Sequence, residues 1–194
     1  MRVMNLTKLS LIPMFCVALL GCDVVKLDQN GNPIIPMTAE EAASLTNLSP
    51  EALADRFWAD ILREANTVSK AFEQKQVEGK NSEFVRISGI VEIVDDSKKT
   101  ATMTVATGKE DVVLQIGPII RGNAIRDAAS FINFDDFKNQ VQFARLSKAL
   151  NKKAMTNFTR PDSSWSGSTV DVLAAVTFKG ASVSEVVPLE IVKR

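Results

Sequence analysis

Leu53, Phe57, Ile61, Ala65, Val68 and Phe72 return at spacings of three and four, the period of one helical face, with Asp55, Arg63, Glu64, Lys70 and Glu73 on the opposite side. Trp58 and Leu62 widen the apolar stripe. Ser49-Pro50-Glu51 supplies a cap, a proline at the first helical position and an acid in the first turn, so a helix is predicted from Pro50 to about Gln76, ended by Gly79-Lys80-Asn81-Ser82. From Glu83 the pattern changes to β-branched runs: Val85, Ile87, Ile90-Val91 and Ile93-Val94, split by Gly89, where a bulge or sharp coil is expected. Asp95 to Lys99 reads as a polar turn, Thr100 to Ala106 as the return strand of a hairpin, and Val112 to Ile116 as a third strand. Ala124, Ile125, Ala128, Ala129 and Ile132 then predict a short helix, and Asp135 to Ala149 a second one. Thr169–Phe178 and Ser182–Val192 close the chain as two strands, with Pro188 marking an edge.

The order helix, three strands, helices, two strands gives an α+β fold class. It consists of an N-terminal helical subdomain and a five-stranded OB-like β-barrel with a helical insertion between strands three and four. The expected division is a segment 49–80 that packs with 123–157 as the helical subdomain, and a barrel formed by 83–122 and 165–194.

The first 48 residues follow other rules. Arg2 and Lys8 precede an apolar stretch, Leu9 to Leu20, that is too short to span a bilayer and ends in Leu19-Leu20-Gly21-Cys22, a bacterial lipobox. Residues 1–21 are expected to be removed as a signal peptide, Cys22 to carry the acyl chains, and 22–48, with Asn30-Gly31-Asn32-Pro33 and Pro36, to form a tether. Asp23 after the lipidated position favours retention at the inner membrane if the organism is an enteric-type Gram-negative bacterium. Lipidation consumes Cys22 and cleavage discards Cys16, so the mature chain has neither a free thiol nor a disulfide.

The mature chain carries 21 Lys/Arg against 23 Asp/Glu, a net charge of −2. So weak a field does not argue for nucleic acid as a partner or for electrostatic docking on anionic lipid, and no basic stripe is expected. Histidine is absent, which removes the commonest general base and zinc ligand. No metal, cofactor or catalytic residue is expected. Asp95-Asp96 and Asp135-Asp136 read as turn and helix-start acids, not as the facing pair of a glycosidase.

The densest cluster of special residues is Gly117 to Asp127, at a strand-to-helix junction. Gly117 and Gly122 permit a positive φ, Asn123 opens the helix, and Arg121 and Arg126 have the planar forks that hold anions in pairs of hydrogen bonds, so a small anionic ligand is one reading. The other is structural, with Asn123 as a cap, Arg126 paired to Asp127 or Asp135, and Arg121 bridging barrel and helix. Asn139 and Gln140 add amides suited to sugar hydroxyls. The candidate ligand-binding set is therefore Arg121, Gly122, Asn123, Arg126, Asp127, Asn139 and Gln140.

The run GPIIRGNAIRDAASFINFDDFKNQVQFARLSKALN, after a VVLQIG strand and downstream of SPEALADRFW, resembles domain-of-unknown-function family 2291, a family of predicted periplasmic lipoproteins. The likeness lies in the GPxIRG strand exit, the RDA helix start, and Asp136-Phe137, Asn139-Gln140, Phe143-Ala144 and Leu150-Asn151; Asn123 and Ile125 stand where Thr and Leu would be expected. The resemblance implies an OB-type barrel with a helical subdomain and a neighbourhood of sugar ABC-transport systems, and brings no catalytic residue. Two functions follow as expectations: a membrane-anchored accessory or small-ligand-binding lipoprotein, with an ABC-transporter component as its partner, or a scaffold that contacts an envelope protein through the helix bearing Phe57 and Trp58.

Overall fold

The computed structural model describes residues 45–194 together with the short strands β1 (Lys26–Leu27) and β2 (Pro33–Ile34), which pair antiparallel. The lipobox, Cys22 and most of the predicted tether lie outside the described residues. The chain divides into units 1–38 and 39–194, and the second unit holds the main sheet and the helices.

Helix α1 (Pro50–Val68) starts where the sequence predicts, with the Ser49 hydroxyl accepting the Ala52 N–H at 3.1 Å. It ends eight residues early. Lys70–Ala71 forms strand β3, parallel to β4 (Lys80–Asp95), the Phe72 N–H bonds the Arg86 carbonyl at 2.8 Å, and the Phe72 ring stacks on Phe178 with centroids 6.3 Å apart. The helical period continued to Phe72, but that ring finds its partner in the barrel, and tertiary packing overrides local pattern.

The main sheet adds β5 (Thr102–Ala106), β6 (Asp111–Gln115), β7 (Thr169–Lys179) and β8 (Ser182–Lys193), in the order β6-β5-β4-β7-β8. β4 pairs with β7 from Lys80 to Ile90 and with β5 from Ile90 to Asp95, handing over at the glycine. A Cβ on Gly89 would lie 2.2 Å from the Ala106 carbonyl oxygen, so only glycine lets the coiled strand pass so close to its neighbour. The bulge itself falls next to it, between Val91 and Ile93.

Alternation on the shared strands builds two cores. Val85, Ile87, Val172, Ala174, Val176 and Val186 point into the barrel with Met103, Val105 and Leu114. Phe84, Leu173, Ala175, Val187 and Leu189 point outward and are covered by helices. β7 is therefore buried on both faces from Val172 to Phe178, which is why its sequence reads as an apolar run interrupted only by Thr177.

Between β6 and β7 come α2 (Ala124–Ala128), a 3-10 turn Phe134–Asp136 and α3 (Gln140–Ala154). Both predicted helices of the insertion shift. The first stops at Ala128 because Ala129 is extended, and the second starts at Gln140, not Asp135, because the Asn139 side chain caps it by accepting the Gln142 N–H at 2.9 Å. α1 packs on α3, and both lie over the outer face of β4, β7 and β8. Phe57 and Trp58 are 9% and 7% exposed within that layer. The partner-binding face expected around them is instead the inner face of α1, because the core takes up Leu53, Phe57, Trp58, Ile61 and Ala65 and leaves Val68 exposed at the helix end.

The folded body also begins before Ser49. Leu45 and Leu48 pack on the helical core, and Gln142 Nε2 donates to the carbonyls of Leu45, Thr46 and Leu48 at 3.1, 3.2 and 3.4 Å.

Candidate functional site

The Gly117–Asp127 junction is held from several directions. Gln115 at the end of β6 clamps the backbone of Arg121, its Oε1 accepting the Arg121 N–H at 2.9 Å and its Nε2 donating to the Arg121 carbonyl at 3.0 Å, while the Arg121 side chain stands exposed. Gly122 has φ +92°, and a Cβ there would lie 2.1 Å from the Glu185 carboxylate. That carboxylate, from β8, accepts the Asn123 N–H at 2.8 Å and lies 3.5 Å from Lys80 Nζ. The place an anion would take at this turn is thus occupied by the protein's own Glu185, while the Asn123 side chain makes no capping bond. Across the loop, Asn151 Nδ2 of α3 donates to the Gly122 carbonyl at 3.1 Å.

Arg126 is tied as well. Its Nε and Nη2 donate to Asp127 Oδ1 at 2.8 and 2.5 Å, Nη1 reaches the Phe143 carbonyl at 3.3 Å, and the guanidinium lies 3.8 Å above the Phe143 ring. Asp127 also faces Lys80 at 3.7 Å. Asn139 is occupied as the cap of α3, and Gln140 is exposed beside it. The predicted residues fall into two places: Arg121 to Asp127 around Glu185, and Asn139 and Gln140 at the start of α3.

A second feature had only one trace in the sequence, the edge mark at Pro188. Among the described residues, β6 pairs only with β5 and β8 only with β7, so the barrel has a seam where strands three and five lie side by side without a ladder. The Ile116 N–H bonds to Ala101 O and the Thr107 N–H to Glu110 O. By alternation, the backbone groups of Asp111, Val113 and Gln115 point away from β5, towards the seam. A cleft of about 440 Å³ lies there, lined by β6, by Ser182 to Val186 of β8 and by Phe72 and Gln74. Its floor is closed by Val112 and Val186, 2% and 3% exposed. Glu110 and Asp111 give it acidic walls, with no Lys or Arg in the lining, while the third acid there, Glu185, already faces Lys80. Gln74 closes one end, its N–H bonding Glu110 Oε1 at 3.1 Å and its Nε2 the Ala181 carbonyl at 2.9 Å.

A family described as predicted periplasmic lipoproteins (DUF2291) matches residues 13–192. The chain belongs to this family. Its place is therefore the periplasmic side of the cell envelope, and lipoprotein membership brings attachment to a membrane. No curated protein matches the sequence. Among solved structures, the lipoprotein is similar to an OB-fold protein from Thermotoga maritima, at 16% identity and a TM-score of 0.57, over 76% of this chain and 99% of that one. That similarity shows the OB fold, with the helical insertion between strands three and four.

Among the described residues, the acids whose protonation is clearly shifted all move downward. Hydroxyl hydrogen bonds from Ser97, Ser164 and Ser88 hold Asp95, Asp162 and Asp171 below the usual carboxylate range, with Arg194 adding to the effect at Asp171. A general acid at neutral pH needs the opposite shift. Among the described residues there is no cluster of carboxylates able to hold a metal ion.

Proposed function

We propose that this lipoprotein is a non-enzymatic adaptor, held at the membrane by acyl chains on Cys22, that receives an extended segment of an envelope protein along the β6–β8 seam. The observation that carries this is that, among the described residues, β6 and β8 are each laddered on one side only, leaving two strand edges along a cleft that has the buried Val112 and Val186 in its lining. Such edges give affinity through main-chain hydrogen bonds and specificity through alternate side chains. The acidic walls select a segment with basic residues. A transporter component, the neighbourhood implied by the family resemblance, is one such partner. Against a small anion at the Gly122 turn stand Glu185 in that position and Arg126 already paired to Asp127. Against the commonest acid–base chemistry stands the absence of histidine.

Photo-crosslinking residues placed at Val113 and Ser184 test the reading in cells. Both positions should yield the same protein adduct, Val141 on the helical layer should not, and the double substitution E110K/D111K should abolish it. Absence of any protein adduct, together with a small compound that raises the melting temperature of the wild type but not of E110K/D111K, would replace the adaptor with a ligand binder.

A further inference from the structure

The near-neutral net charge conceals a segregation. From Phe137 to Pro161 the chain carries six cations, Lys138, Arg145, Lys148, Lys152, Lys153 and Arg160, and no acid, whereas the rest of the mature chain has 15 cations against 23 acids. α3 sorts these charges by its period. Val141, Arg145, Lys148 and Lys152 fall at spacings of four, three and four, on the side opposite Leu146, Leu150 and Ala154, and all four are exposed. The basic stripe that the sequence pattern concealed therefore exists, because apolar core residues separate its members along the chain and only the helix aligns them. Lys153 lies off the stripe and pairs with Asp55 at 2.6 Å. No ion pair among the described residues involves Arg145, Lys148 or Lys152.

Two further observations bear on what meets this stripe. The chain from the N-terminal segment joins the body at the first turn of α3, where Gln142 holds the carbonyls of Leu45, Thr46 and Leu48. Beside that turn stand two exposed apolar side chains, Phe134 at 48% and Val141 at 58%, the former edge-on to Phe143 with centroids 5.4 Å apart. Cations with an aromatic and an aliphatic residue at one end are the composition that suits the headgroup boundary of a bilayer. The 22 residues from Asp23 to Ser44 reach at most about 75 Å. That contour length bounds the distance of the body from the membrane and does not by itself fix an orientation.

We propose that α3 makes that choice: it lies along the anionic surface of the bilayer that holds the lipoprotein, with Arg145, Lys148 and Lys152 on lipid phosphates and Phe134 and Val141 at the headgroup boundary. The proposal rests on acylation of Cys22. Each such cation near an anionic surface changes residence there by about fivefold, an effect that fades beyond a Debye length of about 10 Å at 0.1 M salt. Glu51 and Asp55 border the groove beside Lys152 and Lys153 and weaken the C-terminal end, so Arg145 and Lys148 carry most of the attraction.

The full-length acylated protein tests this with a fluorophore at Ala144→Cys, since the mature chain has no cysteine besides Cys22. In vesicles of equal phosphatidylglycerol and phosphatidylcholine, an aqueous quencher should reach the label several-fold less well than in pure phosphatidylcholine. Molar salt should restore access, and a label at Lys109→Cys on the barrel should not respond. The charge-reversed variant R145E/K148E/K152E should lose the protection while keeping its helical circular dichroism and melting temperature. Equal access in both vesicle types overturns the proposal, as does protection that ignores lipid charge and salt, which would signal a protein contact or a second copy. If mass spectrometry finds Cys22 unmodified, the anchoring reading fails separately. Co-flotation of that unmodified chain with phosphatidylglycerol vesicles then decides: flotation lost in R145E/K148E/K152E supports the stripe, and no flotation overturns it.

Discussion

The barrel and the helical layer share strands β4, β7 and β8 yet present different chemistry to their surroundings. The barrel's open resource is the seam, where two strand edges retain directional donors and acceptors beside acidic walls. The layer's is α3, whose backbone is satisfied internally and whose outer face carries charge. Hydrogen bonding at an edge demands register and an extended partner, whereas a cationic helix face acts at longer range, tolerates any anionic surface and weakens with salt. The two proposals thus assign this fold contacts of different kinds, one with an extended protein segment and one with a membrane.

The largest expected effect tests whether the two regions are energetically one body. Leu114→Ala inside the barrel and Leu150→Ala in the helical layer each remove a fully buried side chain and should each cost about 2–5 kcal/mol. Trp58 reports on the helical core and Trp165 on the barrel. Because both cores use opposite faces of the same strands, denaturant titrations should show coincident transitions at both tryptophans in each variant. A split transition would separate the layers and break the comparison.

Next in size is the junction. Gly122→Ala imposes a side chain at positive φ and drives its Cβ into Glu185, so a loss of about 2–4 kcal/mol is expected in denaturant melts. Glu185→Ala added to it should relieve the collision but not the backbone strain, recovering only part of the loss.

Acid has the smallest effect and falls on the barrel. The folded-state values of Asp95, Asp162 and Asp171 lie below the unfolded value of about 3.9. Their contribution is therefore complete above that value and disappears as pH falls through the folded values. Replacing the three by Asn should flatten the acid limb of the stability profile below about pH 4 and leave its slope near neutrality unchanged.

Much of this architecture was legible in the residues. Ser49-Pro50 marked the start of α1, the change to β-branched runs marked the sheet, and five strands around a helical insertion pointed to the OB order. Local readings failed where a distant partner intervened. Phe72 left the helical register for Phe178, and Asn139, not Asp135, began α3 because its amide reached the Gln142 N–H. The functional features were harder to read. Glu185 lies 62 residues from the amide it accepts, and no local pattern connects them. The seam depends on which strands end without neighbours, and the stripe is diluted in the linear sequence by the core residues between its cations.

What the sequence by itself determined is the kind of protein this is: the lipobox pattern, the absence of histidine, and periodicities that commit each segment to helix or strand, since these depend on residue identity and short spacing. Only the tertiary structure decided that Glu185 fills the Gly122 turn, that the barrel remains open between β6 and β8, and that α3 turns its cations outward beside the incoming chain. Each of these depends on where elements far apart in sequence come to rest, and packing sets that position.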